Sequence, residues 1–313
     1  MQKISSLLVI LDRQHADHPA LQRANDLARS TGANVHVITS VHQAACDNNV
    51  MQDMSLANNL KEALLEDTGN WLQNTVENFD DEQSNITYET YWQPHLANAA
   101  VEALSQKNYD LVLKSIQPHN HFFDRLFTPS DWNLLRHCTA PLLLVHHKES
   151  WKNNRILAAI DASSSDPKHR LLNENVLQMA EQFSGYINAE THIVNASPIL
   201  DMSFSMFPES PSLEDLQEDI LQQHKDAAQQ YAKKYNINEE NIHVCEGEPN
   251  SVIIEQARKY QTDLVIIGTV AREGISGALL GNTAESVADQ LPCDVLAVKI
   301  LDGVGDQDEK FDT

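Results

Sequence analysis

Positive charge is scarce in this sequence: 22 lysines and arginines stand against 45 aspartates and glutamates in 313 residues, a formal net charge of −23. An acidic protein gains no counterion release on a phosphate backbone or an anionic bilayer, so neither nucleic acid nor a membrane surface is an expected partner. Long apolar runs are missing as well. No stretch approaches the ~18–20 residues of a bilayer-spanning helix. The first apolar run, Leu7–Leu11, stops at Asp12 without the basic lead-in and cleavage site of an export signal. Cysteine is sparse: Cys46, Cys138, Cys245 and Cys293 lie far apart, with no Cys-x-x-Cys pair. That pattern fits reduced thiols in a cytoplasmic protein rather than a disulfide framework. Three chemistry-bearing motifs are also absent: the dinucleotide Gly-x-Gly-x-x-Gly, the P-loop and the Gly-x-Ser-x-Gly nucleophile elbow.

What is present is one unit written twice. Leu7-Leu8-Val9-Ile10-Leu11-Asp12 is echoed by Ile156-Leu157-Ala158-Ala159-Ile160-Asp161, an apolar run closed by a carboxylate. Asp110-Leu111-Val112-Leu113 is echoed by Asp263-Leu264-Val265-Ile266, and Ala140-Pro141-Leu142-Leu143-Leu144-Val145 by Cys293-Asp294-Val295-Leu296-Ala297-Val298. The offsets, 161 − 12 = 149, 263 − 110 = 153 and 293 − 140 = 153, keep one order and almost one spacing. A period of about 150 residues is a whole domain rather than a solenoid repeat.

Within each copy, short Val/Ile/Leu runs alternate with helical spacings. Val35–Ile38 and His192–Val194 follow helix-like stretches ending at Gly32 and Gly185, while Leu96–Leu104 and Val252–Ala257 lead into the Asp110 and Asp263 strands. Continuous apolar strands alternating with helices read as a parallel sheet covered on both faces. The expected fold is α/β: two tandem doubly wound, Rossmann-like parallel-sheet domains forming a pseudo-dimer. The expected bounds are residues 1–150 and 151–301, with an acidic tail over 302–313.

In the second copy a strand ending at Gly268 runs into Gly268-Thr-Val-Ala-Arg-Glu-Gly274-Ile-Ser-Gly277-Ala-Leu-Leu-Gly281-Asn-Thr283-Ala-Glu285, followed by a helix carrying Val287, Ala288 and Leu291. A glycine-rich strand-to-helix loop at the carboxyl end of a parallel sheet is where phosphates meet backbone N–H groups. Gly268 and Gly281 would admit close backbone approach, Asn282 and Thr283 would open the helix with free N–H groups, and Arg272 would add charge. Asn282 with Glu285 three residues on also reads as a helix capping box, and that alternative stands beside the phosphate reading.

The two-domain plan, the strand-ending aspartates, Gly268-Thr-Val, Leu280-Gly-Asn-Thr-Ala-Glu285 and, in the first copy, Phe127-Thr-Pro-Ser-Asp-Trp-Asn-Leu-Leu-Arg136 together resemble the tandem universal stress proteins, over essentially the whole chain. The resemblance implies a five-stranded α/β fold, pairing through the last strand that leaves a homodimer open, and in some members an ATP site. That site follows Gly-x2-Gly-x9-Gly-(Ser/Thr), for which this chain offers Gly268, Ala271, Gly281 and Asn282, with Thr283 one place late. The outer glycines match; an alanine replaces the inner glycine and an asparagine the hydroxyl. By the same resemblance Asp161 faces the nucleoside and Ala196 lines the adenine pocket.

The first copy departs further. At an offset of 153 its loop positions are Ser115, Pro118, Thr128, Pro129 and Ser130, and both prolines lack an N–H. Ser130 reads as an N-cap, and Asp131 places a carboxylate where a phosphate would sit. Elsewhere, His119, His121, Asp124 and His95 could be gathered at a zinc ion, but loop and surface histidines are the better account and no metal is assigned. The expected function is a cytoplasmic, stress-response sensor or regulator. It binds a small molecule, ATP or a related nucleotide, in its second domain without catalysis. A slow ATPase or phosphotransferase and a scaffold for an apolar acyl ligand remain the alternatives.

Overall fold

The computed structural model describes residues 3–13, 17–47, 53–79, 85–116, 129–146, 151–200, 212–269, 287, 290–291 and 293–300, with only the backbone of 129–132. Contacts divide the chain into a unit of residues 1–152 with 292–296 and a unit of residues 153–291 with 297–313.

The first unit contains β1 (Ser6–Ile10), α1 (Pro19–Thr31), β2 (Asn34–Val41), α2 (Met54–Glu77), β3 (Ile86–Trp92), α3 (Leu96–Gln106), β4 (Leu111–Ser115), α4 (Pro129–His137) and β5 (Leu142–Val145). Its strands run parallel in the order β3-β2-β1-β4-β5. Leu7–Ile10, Leu111–Leu113 and Leu142–Val145 are all buried, whereas β3 is largely exposed. Central strands covered on both faces must be apolar at every position, which is why these runs were continuous in the sequence. Proline opens α1, where a missing N–H costs nothing, and Gly32 closes it at φ 74°.

The second unit repeats the plan with β6 (Arg155–Ala159), α5 (Pro167–Ile187), β7 (Glu190–Ser197), α6 (Leu213–Lys234), β8 (Ile242–Glu246), α7 (Pro249–Lys259) and β9 (Leu264–Thr269), while β10 (Asp294–Lys299) has its first three residues in the first unit and its last three in the second. The parallel order is β9-β6-β7-β8. In both units the strand order reverses direction beside the first strand, between β1 and β4 and between β6 and β9. A crevice opens there at the carboxyl ends of the strands.

Two local expectations are corrected. α5 does not stop at Gly185 but runs to Ile187, ended by Asn188 in the left-handed region at φ 51°. Apolar contacts carry the helix across its glycine: Phe183, two residues before Gly185, is fully buried. Helix α4 starts at Pro129, so Ser130 is its second residue rather than its N-cap.

The repeated aspartates do two different things. Asp110 sits at the amino edge of the sheet, where its Oδ2 accepts from Ser5 N (2.8 Å), Ser5 Oγ (2.8 Å) and Ser6 N (2.9 Å). Those donors hold its carboxyl below the usual aspartate range against the opposing effect of burial, which is the largest single influence on it. Asp263 Oδ2 accepts from Arg155 N at 3.3 Å in the same way. Asp12 and Asp161 instead follow the carboxyl ends of β1 and β6.

Residues 292–296 are held within the first unit by a buried carboxylate. Asp294 Oδ2 accepts from Arg23 Nε on α1 (3.0 Å) and Trp151 Nε1 (2.8 Å), and its Oδ1 accepts from His146 N (2.9 Å). The Arg23 guanidinium lies 4.3 Å from the Trp151 ring centre. Both charges are almost fully buried, so each depends on the other for compensation.

Candidate functional site

The crevice of the second unit is framed by the turn that follows β6. Two side chains fix the turn's backbone from opposite sides. Asn173, buried on α5, clasps residue 161: its Oδ1 accepts from Asp161 N (3.0 Å) and its Nδ2 donates to Asp161 O (2.8 Å). Asn195, buried near the end of β7, accepts from Ala162 N through Oδ1 at 2.8 Å. A buried N–H without a partner is costly, so these two asparagines determine the path of the turn. The carboxylate of Asp161 is left 54% exposed, with its Oδ2 3.4 Å from His169 Nδ1. An acceptor so placed at a switch-point crevice suits ligand hydroxyls or amines.

A second layer stands behind the turn. With Asn195 Oδ1 committed to Ala162, its Nδ2 faces His224 Nδ1 on α6 (2.7 Å) and Ala196 O (3.2 Å). His224 Nδ1 is thus the acceptor, and the ring proton lies on Nε2, where it donates to Ser163 Oγ at 3.0 Å. Burial of His224 lowers its pKa from the usual histidine range, opposed by the charge of Asp161. Serine, histidine and asparagine in line have the composition of a nucleophile-activating set, but the proton is on the wrong nitrogen: this imidazole cannot accept the Ser163 hydrogen. The arrangement positions; it does not activate.

Of the residues singled out in the sequence, Asp161, Ala196 and Gly268 are described. Ala196 is half-buried near the end of β7, paired with Cys245 of β8. Gly268 is in β9 at the crevice, and a Cβ built on it would overlap Leu172 Cγ and Cδ2 of α5. Its lack of a side chain is thus demanded by packing. Ala271, Arg272, Gly281, Asn282 and Thr283 lie outside the described residues, as do His119, His121 and Asp124. His95 precedes α3 without a side-chain capping bond. Among the described residues no set of three His, Cys, Asp or Glu side chains is placed to hold a metal ion, and no helix is long and apolar enough to cross a membrane.

Sequence reasoning missed Asn173, Asn195, His224, Ser163 and His169. Asn195 carried a usable signal, as a polar residue in the otherwise apolar end of a buried strand. His224 carried none, since nothing in a solvated-looking helix marks one histidine as turned inward.

Around the corresponding turn of the first unit the side chains make different contacts. His18, 6% exposed at φ 42°, sets its ring edge-on to Trp71 (5.7 Å) and Phe79 (6.5 Å). Arg13 reaches from the turn to Asp67 of α2 at 2.6 Å. Ser115, in the place of Gly268, accepts from Ala20 N at 3.0 Å and so occupies a donor at the start of α1. The residue five beyond the opening proline is Ala24 in α1 and Leu172 in α5. The small helix residue goes with the strand serine, the large one with the strand glycine.

Comparison with known proteins agrees with this doubled architecture. The model of the universal stress protein family matches residues 3–146 and again 152–299. Universal stress protein E of Escherichia coli (strain K12) is 30% identical over 302 residues, covering 96% of this chain and 95% of that protein. A solved protein of unknown function from Pseudomonas aeruginosa PAO1 is 28% identical with a TM-score of 0.72, covering 96% of this chain and 94% of its own. A universal stress protein solved in complex with cAMP covers 48% of this chain and 98% of its own, at 25% identity and a TM-score of 0.29. Two family matches in tandem, with a relative at this identity over nearly the whole length, place the chain in the universal stress protein family.

Proposed function

We propose that this protein is a stress-response sensor whose second unit binds ATP or a related nucleotide in the crevice between β6 and β9, without turning it over. The observation that carries the reading is the asymmetry of the two first turns. In the second unit two buried asparagines hold the turn and leave the Asp161 carboxylate exposed, whereas in the first unit side chains around the corresponding turn pair with one another, His18 with Trp71 and Arg13 with Asp67. Asp161 would accept from ribose hydroxyls, Ala196 would border the base, and the phosphates would meet the loop from Gly268 through Ala271, Arg272, Gly281, Asn282 and Thr283. Ser163 lacks an activating base, which supports binding over phosphoryl transfer. A cytoplasmic location agrees with the four cysteines, none of which is joined in a disulfide among the described residues.

Calorimetric titration of the full chain with ATP tests the reading. Asp161→Ala should weaken binding about tenfold or more, the effect of losing charge-assisted hydrogen bonds, while Asp12→Ala should leave it unchanged. Absence of ATP binding in the unaltered chain, or a loss confined to Asp12→Ala, would overturn it. Phosphate release in proportion to protein would replace sensing with hydrolysis.

A further inference from the structure

His224 is itself buried behind the turn, yet two of the groups that shape the crevice depend on this ring. Ser163 Oγ receives its Nε2–H, and Asn195 Nδ2–H points at its Nδ1. Asn195 cannot turn its amide around to face a second ring proton, because its Oδ1 already holds the buried Ala162 N–H. A proton added at Nδ1 would therefore meet a donor head-on at 2.7 Å. Relief requires either that Asn195 release Ala162 or that the ring leave Ser163, and both loosen the turn that carries Asp161.

We propose that His224 is a positioning residue that holds the β6–α5 turn in its binding geometry only while neutral, so that proton uptake by this one ring weakens the crevice of the second unit. Its ligand-affinity consequence rests on the reading given above; its structural consequence does not. Asp161, on the turn, favours the charged ring, and burial disfavours it more strongly. β7 presents the uncharged Asn195. Among the described residues no charged group of α5 or β8 adds to these influences. The ring thus titrates below the ordinary histidine value of 6.5. Ser163 gains a defined role from the same geometry. With a lone pair occupied by His224, its own O–H remains to donate, into a crevice where it is exposed.

Two independent measurements test this on the full chain. In the unaltered protein, NMR should show the His224 ring and the exchange protection of the Ala162 amide titrating with one midpoint, protection falling about three- to tenfold as a hydrogen bond is lost. Protection that stays constant while the ring titrates would overturn the proposal. His224→Asn places an oxygen near the position of Nδ1 and cannot take up a proton, so it should flatten the pH profile of Ala162. His224→Ala should lower protection at every pH. A profile in His224→Asn like that of the unaltered chain would overturn the proposal as surely. The second measurement is ATP affinity at about pH 7.5 and about pH 5.5, spanning the histidine range. The ratio between the two should be several-fold smaller in His224→Asn, and the ligand's own titration cancels in that comparison. Lack of ATP binding by the unaltered chain at the higher pH would sink the nucleotide reading alone, and the amide exchange would still decide the role of His224.

Discussion

At the scale of single residues, Gly268 shows how a position flagged for one reason is fixed by another. Its place before a glycine-rich loop suggests phosphate approach, but Leu172, 96 residues earlier in the chain, occupies the space of any Cβ. The sequence could not display that partner, because only folding brings α5 against β9. Gly268→Ala should destabilise the chain by about 1–3 kcal/mol, the usual cost of forcing a methyl into a packed core. Combining it with Leu172→Ala should recover part of that loss instead of adding a second one, since the shorter helix side chain frees the space that the new Cβ needs. Urea unfolding midpoints of the two single variants and the double variant measure the coupling. Additive losses would show that the two side chains do not share this space.

Elements were legible where burial alone dictates sequence. The runs at Leu7, Leu111, Ile156 and Leu264 had to be apolar throughout because both faces of each strand are covered, and their doubling was visible before any coordinate. Less legible were features decided by tertiary partners. The end of α5 is set by Asn188 rather than by Gly185, and the capping of α1 by Ser115, 95 residues away from Ala20. The start of β10 belongs with these. Asp294 looked like one more acid before an apolar run, but its carboxylate gathers α1, the segment after β5 and Trp151 around one buried charge. Asp294→Asn would remove a buried carboxylate that pairs with the Arg23 guanidinium, a change that costs about 3–5 kcal/mol. The expected result is a large drop in the urea midpoint with little change in the slope. Replacing Arg23 and Asp294 together by apolar residues should recover most of that loss. A loss below about 1 kcal/mol for Asp294→Asn would mean that the pair is solvated in solution.

Across the whole molecule both copies bury imidazole rings. In the second unit burial lowers the pKa of His192, His224 and His243, the last to about 4. In the first unit burial lowers His36 in the same way, and His18 and His146 are buried as well. The geometry of the second unit reinforces the lowering there. His192 Nδ1 and His243 Nε2 face each other at 2.9 Å with one proton between them, and Tyr260 stacks 4.2 Å from the His243 ring. Glu190 beside His192 favours its charged form, while Arg155 and, for His243, Lys259 oppose it. Each of these rings is neutral when folded and takes up a proton near pH 6.5 when unfolded, so the unfolded chain binds more protons in that window. Their contribution to stability is complete above about pH 6.5 and is lost as the pH falls from there towards the lowered values. Asp110 acts in the same direction, but only below the ordinary aspartate pKa of 3.8. Between about pH 6.5 and pH 4, then, the second unit should lose stability. Hydrogen exchange across this range would reveal it as a fall in the protection of β6, β7 and β8. Protection that held steady across the range would mean that other charges outweigh the three buried rings. The same acid window that disfavours neutral His224 also weakens the unit that contains it, so the His224→Asn variant separates the two effects: it should abolish the local change at Ala162 while leaving the contribution of His192 and His243 in place.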